Sequence, residues 1–163
     1  MQPKKFAFIS GLVLLIVGVL ALIPALSTVT GDLIPLNVDE SYGWFLGIFP
    51  MNIVTKTVMI AIGAWGLSAT RSETRGLPDS IRYARWVFVI TGLGTVLGLI
   101  PATQTLGGTW PLYGAEVPLH GVIAIFAAYF GFTLTAKATQ ENNARFGSKL
   151  PDSESERARH RAA

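Results

Sequence analysis

The stretch PMNIVTKTVMIAIGAWGLSA, residues 50–69, decides the fold because the chain repeats its pattern once. Its counterpart is PLHGVIAIFAAYFGFTLTAK, residues 118–137. Three landmarks align at one constant offset: Pro50 with Pro118, Asn52 with His120, and Gly63 with Gly131. An apolar run of about 20 residues is long enough to cross the hydrocarbon core of a bilayer as a helix. The repeated stretch therefore predicts two membrane-spanning helices of the same orientation.

The duplication extends to the segments that precede these two stretches. LALIPALSTVTGDLIPL, residues 20–36, and LGLIPATQTLGGTWPL, residues 97–112, share an Ile-Pro-Ala core, a following glycine and a Pro-Leu pair in the same order. Each repeat then contains two spans, so both repeats have the same orientation in the membrane. This arrangement predicts two tandem hairpins related by a pseudo-twofold axis along the membrane normal.

Composition indicates a membrane protein with four spans. Half of the 163 residues are hydrophobic and 14% are charged, whereas soluble domains carry about 25% charged residues. The apolar runs predict an all-α protein with a transmembrane domain over residues 1–137, whose spans cover about residues 6–26, 45–69, 86–106 and 117–136. Residues 138–163 are polar and of mixed charge, which predicts an exposed cytoplasmic tail.

The basic residues predict the orientation of these spans. Lysine and arginine occur at the start, in the connection over residues 70–85 and in the tail, whereas the loops over residues 27–43 and 107–116 contain none. Short loops rich in Lys and Arg remain cytoplasmic. Both termini are therefore expected on the cytoplasmic side. The net charge of +3 reflects this topology, and nucleic acid is not an expected partner.

Small residues indicate where helices contact one another. In lipid, helix association depends on close backbone approach, so glycine marks contact faces. The candidates for helix packing are Gly18, Gly63, Gly94, Gly98 and Gly131. Such residues can pack within the bundle or against other membrane proteins.

Lys56 is a cation within a predicted span, and such residues are functional candidates by default. It lies four residues after Asn52, so the two residues share a helix face. One interpretation places both residues in an outward-facing polar pocket. The other lets Lys56 extend towards the outer surface and the acids of the outer loops, Asp32, Asp39, Glu40 or Glu116.

His120 is the only histidine within a predicted span, and Glu116 lies one turn before it. An imidazole can be an axial ligand of a haem or chlorophyll metal, or it can exchange protons. The alternative is a histidine at the membrane interface that is bonded to a backbone carbonyl or to Glu116. No second residue stands at metal-ligand spacing, so no metal site is predicted beyond this candidate axial ligand.

The chain contains no cysteine and no Walker, GxSxG, HExxH or dinucleotide-binding motif, so no enzyme is predicted. The preferred hypothesis is an accessory or packing subunit that binds other integral membrane proteins in the lipid bilayer. A small carrier or channel that uses Asn52, Lys56, Glu116 and His120 is the first alternative. A subunit that binds a pigment or haem through His120 is the second.

The second span, GIFPMNIVTKTVMIAIGAWGL, resembles a family of small four-span bacterial membrane proteins known as a domain of unknown function. The matching positions are Asn52, Gly63, Gly66 and Leu67 in the first repeat, and His120 and Gly131 in the second. In the first repeat, Lys56 and its neighbours stand where histidines are usual in the family. The resemblance implies the four-span fold and implies no activity.

Overall fold

Four α-helices make up most of the protein in the computed structural model, which describes residues 3–29 and 33–135 and the single positions 137, 140 and 144. In chain order the helices are α1 (Pro3–Leu20), α2 (Ile53–Arg71), α3 (Gly76–Leu99) and α4 (Glu116–Ala128). A short π-helix, Tyr129–Thr133, continues α4. The prediction of a mostly helical chain is therefore confirmed. The predicted tail over residues 138–163 and Asp32 lie outside the continuous described ranges.

Three of the helical segments are long and apolar enough to cross a membrane, namely Pro3–Leu20, Ile53–Arg71 and Glu116–Thr133. Such helices are compatible with the predicted membrane location. They need about 20 residues to span a bilayer core, and their lengths of 18, 19 and 18 residues approach this value.

The prediction that the chain is entirely helical is wrong in one place, because the first long loop contains a small antiparallel sheet. Its strands are β1 (Ser27–Thr28), β2 (Gly43–Phe45) and β3 (Phe49–Met51), in the spatial order β1-β2-β3. The turn between β2 and β3 contains Leu46 and Gly47, both with positive φ, which reverses the chain over three residues. Aromatic residues in β2 and β3 favour an extended backbone.

The helix ends differ from the ends of the predicted spans because of the strands and the prolines. The second predicted span, 45–69, begins too early, since residues 43–51 are extended and α2 begins at Ile53. The first, 6–26, ends too late, because α1 stops at Leu20 and a separate 3₁₀-helix, Pro24–Leu26, follows. Proline lacks the N–H that would continue the helix.

The largest difference from the predicted spans concerns α3. The connection predicted over residues 70–85 shrinks to Ser72–Arg75, and α3 begins at Gly76. Pro78 lies in its first turn, where proline is tolerated because its missing N–H has no helical partner there. The helix therefore begins before the third predicted span, 86–106, and this span ends too late, since α3 stops at Leu99 and the 3₁₀-helix Pro101–Thr103 follows.

The fourth predicted span, 117–136, starts almost where α4 does, at Glu116, and its helical part continues through the π-helix to Thr133.

Two hydrophobic clusters stabilise the opposite ends of the bundle. At the end of the α2–α3 connection, Phe6 stacks on Phe130 with ring centroids 5.0 Å apart, and the fully buried Tyr83 packs beside them. At the other end, Phe45 and Met51 of the sheet pack on Ala21. The sheet therefore covers the end of the α1–α2 hairpin.

The five glycines predicted to mark helix contacts all lie against other elements of the same chain. A Cβ on Gly63 would lie 2.5 Å from Leu15 N in α1, and one on Gly18 would lie 2.8 Å from an Ile60 side-chain carbon in α2. In the second half of the chain the neighbours are as follows: His120 for Gly94, Val117 and Leu112 for Gly98, and Arg85 for Gly131. The contacts of these glycines therefore hold the protein's own helices together.

Candidate functional site

Asn52 holds the start of α2 against the two loops over residues 27–43 and 107–116. They are called the outer loops after the side of the membrane that the sequence predicts for them. Its side chain is fully buried, and its Oδ1 accepts hydrogen bonds from the backbone N and the Oγ1 of Thr55, each at 3.1 Å. This is the usual bond of a helix N-cap. Its Nδ2 donates to the carbonyl oxygens of Val38 and Thr109, at 2.9 and 2.8 Å. All four bonds are made to the protein, so Asn52 fastens the two loops to α2.

Lys56 is fully buried and is bound to the first outer loop. Its Nζ donates to the backbone carbonyl and to the Oγ of Ser41, both at 2.7 Å. Two short hydrogen bonds to neutral oxygens compensate part of the cost of burying an ammonium group. Of the two interpretations, the extension towards the outer loops matches this geometry. The partner there is Ser41, which directly follows Glu40 in the chain.

A pair of tyrosines, which sequence patterns did not single out, joins the two outer loops to each other. The hydroxyl groups of Tyr42 and Tyr113 share a short hydrogen bond. Tyr42 also donates to the carbonyl of Ile34 at 3.0 Å, and Ile34 N donates to the Tyr113 hydroxyl at 3.2 Å. Burial, and then the bond to Tyr113, raise the pKa of Tyr42 well above its ordinary value of 10.0.

Glu116 and His120 lie together on α4, as their spacing predicts. The ring Nδ1 of His120 lies 2.7 Å from the carbonyl oxygen of Glu116. A carbonyl can only accept, so Nδ1 carries the proton and Nε2 is the acceptor of the neutral ring. The ring rests on Gly94 of α3, where a Cβ would approach it to 3.1 Å. The bond to a backbone carbonyl is one of the two arrangements that the sequence suggested.

A cavity of about 80 Å³ lies between the four helices, next to Glu116 and His120. Apolar side chains from all four helices form most of its wall: Leu14, Met59, Ile90 and Leu119 are examples. Trp110, Glu116 and His120 supply polar groups at its border. The hydroxyls of Thr55 and Thr91, which also border it, are bonded to Asn52 Oδ1 and to the Val87 carbonyl.

Two polar atoms of residues that border this cavity are buried without a partner in the part of the chain that the structure describes. They are Oε2 of Glu116, a residue that is only 3% exposed, and Nε1 of Trp110. Buried polar groups in proteins are almost always hydrogen-bonded, so each exception requires an explanation. Leaving such a group unpaired costs about 1–3 kcal/mol. Both residues border the same cavity, which makes this cavity the candidate binding site.

A second apolar cavity, of about 210 Å³, adjoins the first. Ile90, Trp110 and His120 border both cavities. The remaining wall of the second cavity is formed by Gly94 and by four leucines, Leu93, Leu97, Leu106 and Leu112. Leu93 and Leu106 are exposed at the surface of the bundle. The second cavity therefore lies between the exposed face of α3 and the cavity that Glu116 borders.

Only two of the four predicted pocket residues border this cavity. Glu116 and His120 border the cavity, whereas Asn52 and Lys56 are bonded to the outer loops and do not. Trp110, which was not among the predicted pocket residues, also borders the cavity. No sequence pattern marks its indole N–H as unpaired.

The cavity is too small for the macrocycle that His120 was a candidate to bind. Sites for drug-sized ligands measure about 300–1,000 Å³, so a haem or chlorophyll does not fit a cavity of about 80 Å³ unless the helices move apart. Among the residues that the structure describes, no group of three or more His, Cys, Asp or Glu could hold a metal ion.

Comparison with known proteins gives one result. The sequence model of a family described as "Domain of unknown function (DUF4383)" matches residues 4–133. This range covers all four helices and both outer loops. No curated protein and no solved structure matches the chain significantly. The chain therefore belongs to the DUF4383 family, as its resemblance to a four-span family of unknown function indicated.

Proposed function

We propose that the protein is a non-enzymatic integral membrane protein that binds a small amphiphilic molecule through an amine or hydroxyl headgroup. The observation that carries this proposal is the buried carboxyl oxygen of Glu116, unpaired within the described residues, at a cavity between the helices. An ionisable group within a membrane-spanning helix is a functional candidate by default.

The chemistry of the two unpaired atoms selects the headgroup. A carboxyl oxygen accepts a hydrogen bond, and an indole N–H can only donate one. A hydroxyl or a primary amine both donates and accepts, so it satisfies Glu116 and Trp110 at the same time. An ammonium group would be bound by Glu116 alone, with the added attraction of opposite charges.

The sizes of the two cavities suggest how such a molecule lies. About 80 Å³ accommodates two or three water molecules of about 30 Å³ each, or a small headgroup. The adjoining cavity of about 210 Å³ is apolar and reaches the exposed side chains of α3, so it suits a short alkyl chain. A ligand would then enter sideways from the bilayer.

Binding can be tested with alkylamines and alkanols of two to eight carbons as probes. The full-length protein in lipid nanodiscs should show saturable thermal stabilisation, which reaches about 2.7 kcal/mol at a hundred times the dissociation constant. The variants Glu116→Gln and Trp110→Phe should lose this stabilisation, because the first replaces a carboxyl oxygen by an amide donor and the second removes the indole N–H. Glu73→Gln is the matched control, since Glu73 is exposed in the α2–α3 connection. No saturable effect, or the same effect in Glu116→Gln, would contradict the proposal.

A carrier function would add release of the ligand on both sides of the membrane. In sealed proteoliposomes, uptake of a labelled probe should then be saturable and should be abolished by Glu116→Gln. Lys56→Met should leave the flux unchanged, because Lys56 does not border the cavity. A flux that depends on Lys56 and not on Glu116 would favour the outward-facing pocket that the sequence suggested.

We further propose the membrane arrangement: four spans in two tandem hairpins, with both termini cytoplasmic in a bacterial inner or internal membrane. The distribution of Lys and Arg supports it. Two parallels between the halves support the repeat. Each of α1 and α3 is followed by a 3₁₀-helix that begins with proline, and each is paired with the next helix, α2 or α4.

The natural absence of cysteine makes the topology easy to test. Single variants Glu73→Cys and Asp39→Cys place a thiol at an exposed position in the α2–α3 connection and in the first outer loop. In intact cells, a membrane-impermeant maleimide should label only Asp39→Cys, and permeabilised cells should show both. Labelling of Glu73→Cys from outside would overturn the orientation.

The second candidate function is an accessory subunit that contacts a transmembrane helix of another membrane protein. The observation that favours it is the outward face of α4 and the π-helix, where Ile125 is 71% exposed beside the exposed Phe126, Tyr129 and Phe132. The predicted packing glycines do not supply this surface, since they lie in contacts within the chain. Co-purification in mild detergent should recover a partner with the wild type and lose it with Ile125→Ser. A monodisperse monomer without a partner would contradict this role.

A further inference from the structure

A groove of about 400 Å³ lies beside the first half of α3, at the end of the bundle opposite to Glu116. Arg82, Arg85, Trp86 and Val89 of α3 border it on one side, and Thr135, just after the π-helix, on the other. Both arginines and the tryptophan are exposed. The groove therefore combines two cationic side chains with an amphipathic aromatic ring at its edge.

The π-helix fixes one of the two arginines in place. Nε of Arg85 donates to the carbonyl oxygen of Gly131 at 3.0 Å, and the guanidinium lies 5.2 Å from the centroid of the Phe132 ring. The close approach is possible because Gly131 has no side chain, since a Cβ there would lie 3.2 Å from Arg85 Cγ. Within the described residues, Nε is the only donor of Arg85 in a hydrogen bond, so its two Nη groups remain for a ligand.

An apolar stripe continues from the groove along the same face of α3. Trp86, Val89, Leu93 and Val96 are all exposed, and they recur at intervals of three or four residues. Residues at this spacing share one face of a helix. The stripe is therefore a continuous apolar surface that begins at the groove, beside Arg82 and Arg85.

We propose that this groove binds the headgroup of an anionic phospholipid, with the phosphate at Arg82 and Arg85 and an acyl chain along the stripe. Arginine presents planar, paired N–H groups that match phosphate oxygens. Basic pockets at the ends of membrane helices bind anionic headgroups, and tryptophan favours the same depth. The apolar stripe favours a lipid over a free phosphate ion, because the ion has no acyl chain that could contact the stripe.

Lipid retention by the full-length protein tests the proposal. The protein is extracted in mild detergent from nanodiscs with equal amounts of phosphatidylglycerol and phosphatidylcholine, and the retained lipids are quantified by mass spectrometry. The wild type should be enriched in phosphatidylglycerol. The double variant Arg82→Gln/Arg85→Gln should lose the enrichment, and Arg82→Gln alone, which keeps the Arg85–Gly131 bond, should reduce it by about fivefold.

The matched control is Arg71→Gln/Arg75→Gln, which removes the same charge from exposed positions near the α2–α3 connection that do not border the groove. It should retain most of the enrichment. Equal losses in the two double variants would indicate diffuse surface charge and overturn the site. Thermal stabilisation by inorganic phosphate without any preference for phosphatidylglycerol would likewise overturn it in favour of a soluble anion. If the double variant misfolds, the enrichment in phosphatidylglycerol measured for the single variant Arg82→Gln tests the proposal.

Discussion

The two hairpins of the protein, α1–α2 and α3–α4, differ at positions that the sequence comparison of the two halves aligns. In the first, α1 and α2 approach so closely that a Cβ on Gly63 would overlap the backbone of α1, and every polar atom of the Asn52 side chain is bonded. In the second, side chains such as His120 lie between α3 and α4, and the buried Glu116 carboxyl has an unpaired oxygen within the described residues. The difference suggests that the first hairpin is a closed scaffold, whereas the second carries the candidate site.

The largest expected effect compares the aligned residues Asn52 and His120. Asn52→Ala removes an N-cap and leaves the carbonyls of Val38 and Thr109 without a donor, so it should lower the free energy of unfolding by about 3 kcal/mol. His120→Ala removes one bond and should cost about 1 kcal/mol. Titration with sodium dodecyl sulfate in mixed micelles, followed by far-UV circular dichroism, measures both. Equal losses would refute the distinction between the hairpins.

The next largest effect on the free energy of unfolding is expected for Gly63→Ala, compared with Gly121→Ala in the second hairpin. A Cβ on Gly63 meets backbone atoms that cannot move aside, so Gly63→Ala should lower the free energy of unfolding by about 2 kcal/mol. A Cβ on Gly121 of α4 would lie 3.6 Å from the Thr95 side chain, an ordinary contact. Gly121→Ala should therefore stay within about 0.5 kcal/mol of the wild type. The same titration measures both, and a stable Gly63→Ala protein would show that α1 and α2 are less tightly packed.

A smaller effect is expected for Lys56→Met. Replacing a buried charge by an apolar side chain of similar volume is often nearly neutral, and the partner Ser41 is exposed, so water can replace the lost donor. The free energy of unfolding should change by less than about 1 kcal/mol. Probe binding, measured by thermal shift, should persist in this variant and disappear in Glu116→Gln. Loss of probe binding in Lys56→Met would show that Lys56, in the first hairpin, takes part in binding.

The smallest effect concerns the tyrosine bridge between the outer loops. Because the folded state raises the pKa of Tyr42 above 10.0, the unfolded chain ionises first as the pH rises. Stability should be independent of this group below pH 10 and should fall above it. Thermal unfolding at pH 8 and pH 10.5 should show a larger decrease for the wild type than for Tyr42→Phe. Equal decreases would mean that Tyr42 ionises as readily in the folded state.

The sequence predicted the helices better than it predicted their ends. Apolar runs identify helices because the whole run must be buried, in protein or in lipid. The strands around Gly43–Phe45 are three residues long, too short for an alternating pattern to show. The start of α3 was missed although Pro78 is a recognised signal for the first turn of a helix, because the four arginines of residues 70–85 suggested a loop.

The candidate site was only half predictable for a related reason. The spacing of Glu116 and His120 on one helix is a local property, so the sequence showed it. Whether a polar residue is satisfied depends on partners elsewhere, and nothing in the sequence separates Lys56, which is bonded to Ser41, from Glu116, which has an unpaired oxygen. Trp110 was missed because its indole N–H became notable only when the fold buried it.

The sequence by itself determined the helical, apolar character of the chain, its charge pattern and its family. The tertiary structure decided which polar groups are satisfied and where the cavities lie. The physical reason is distance along the chain. A helix forms from neighbours within a few residues, whereas the bond that fixes Asn52 to Thr109 joins positions 57 residues apart, and only the folded chain brings them together.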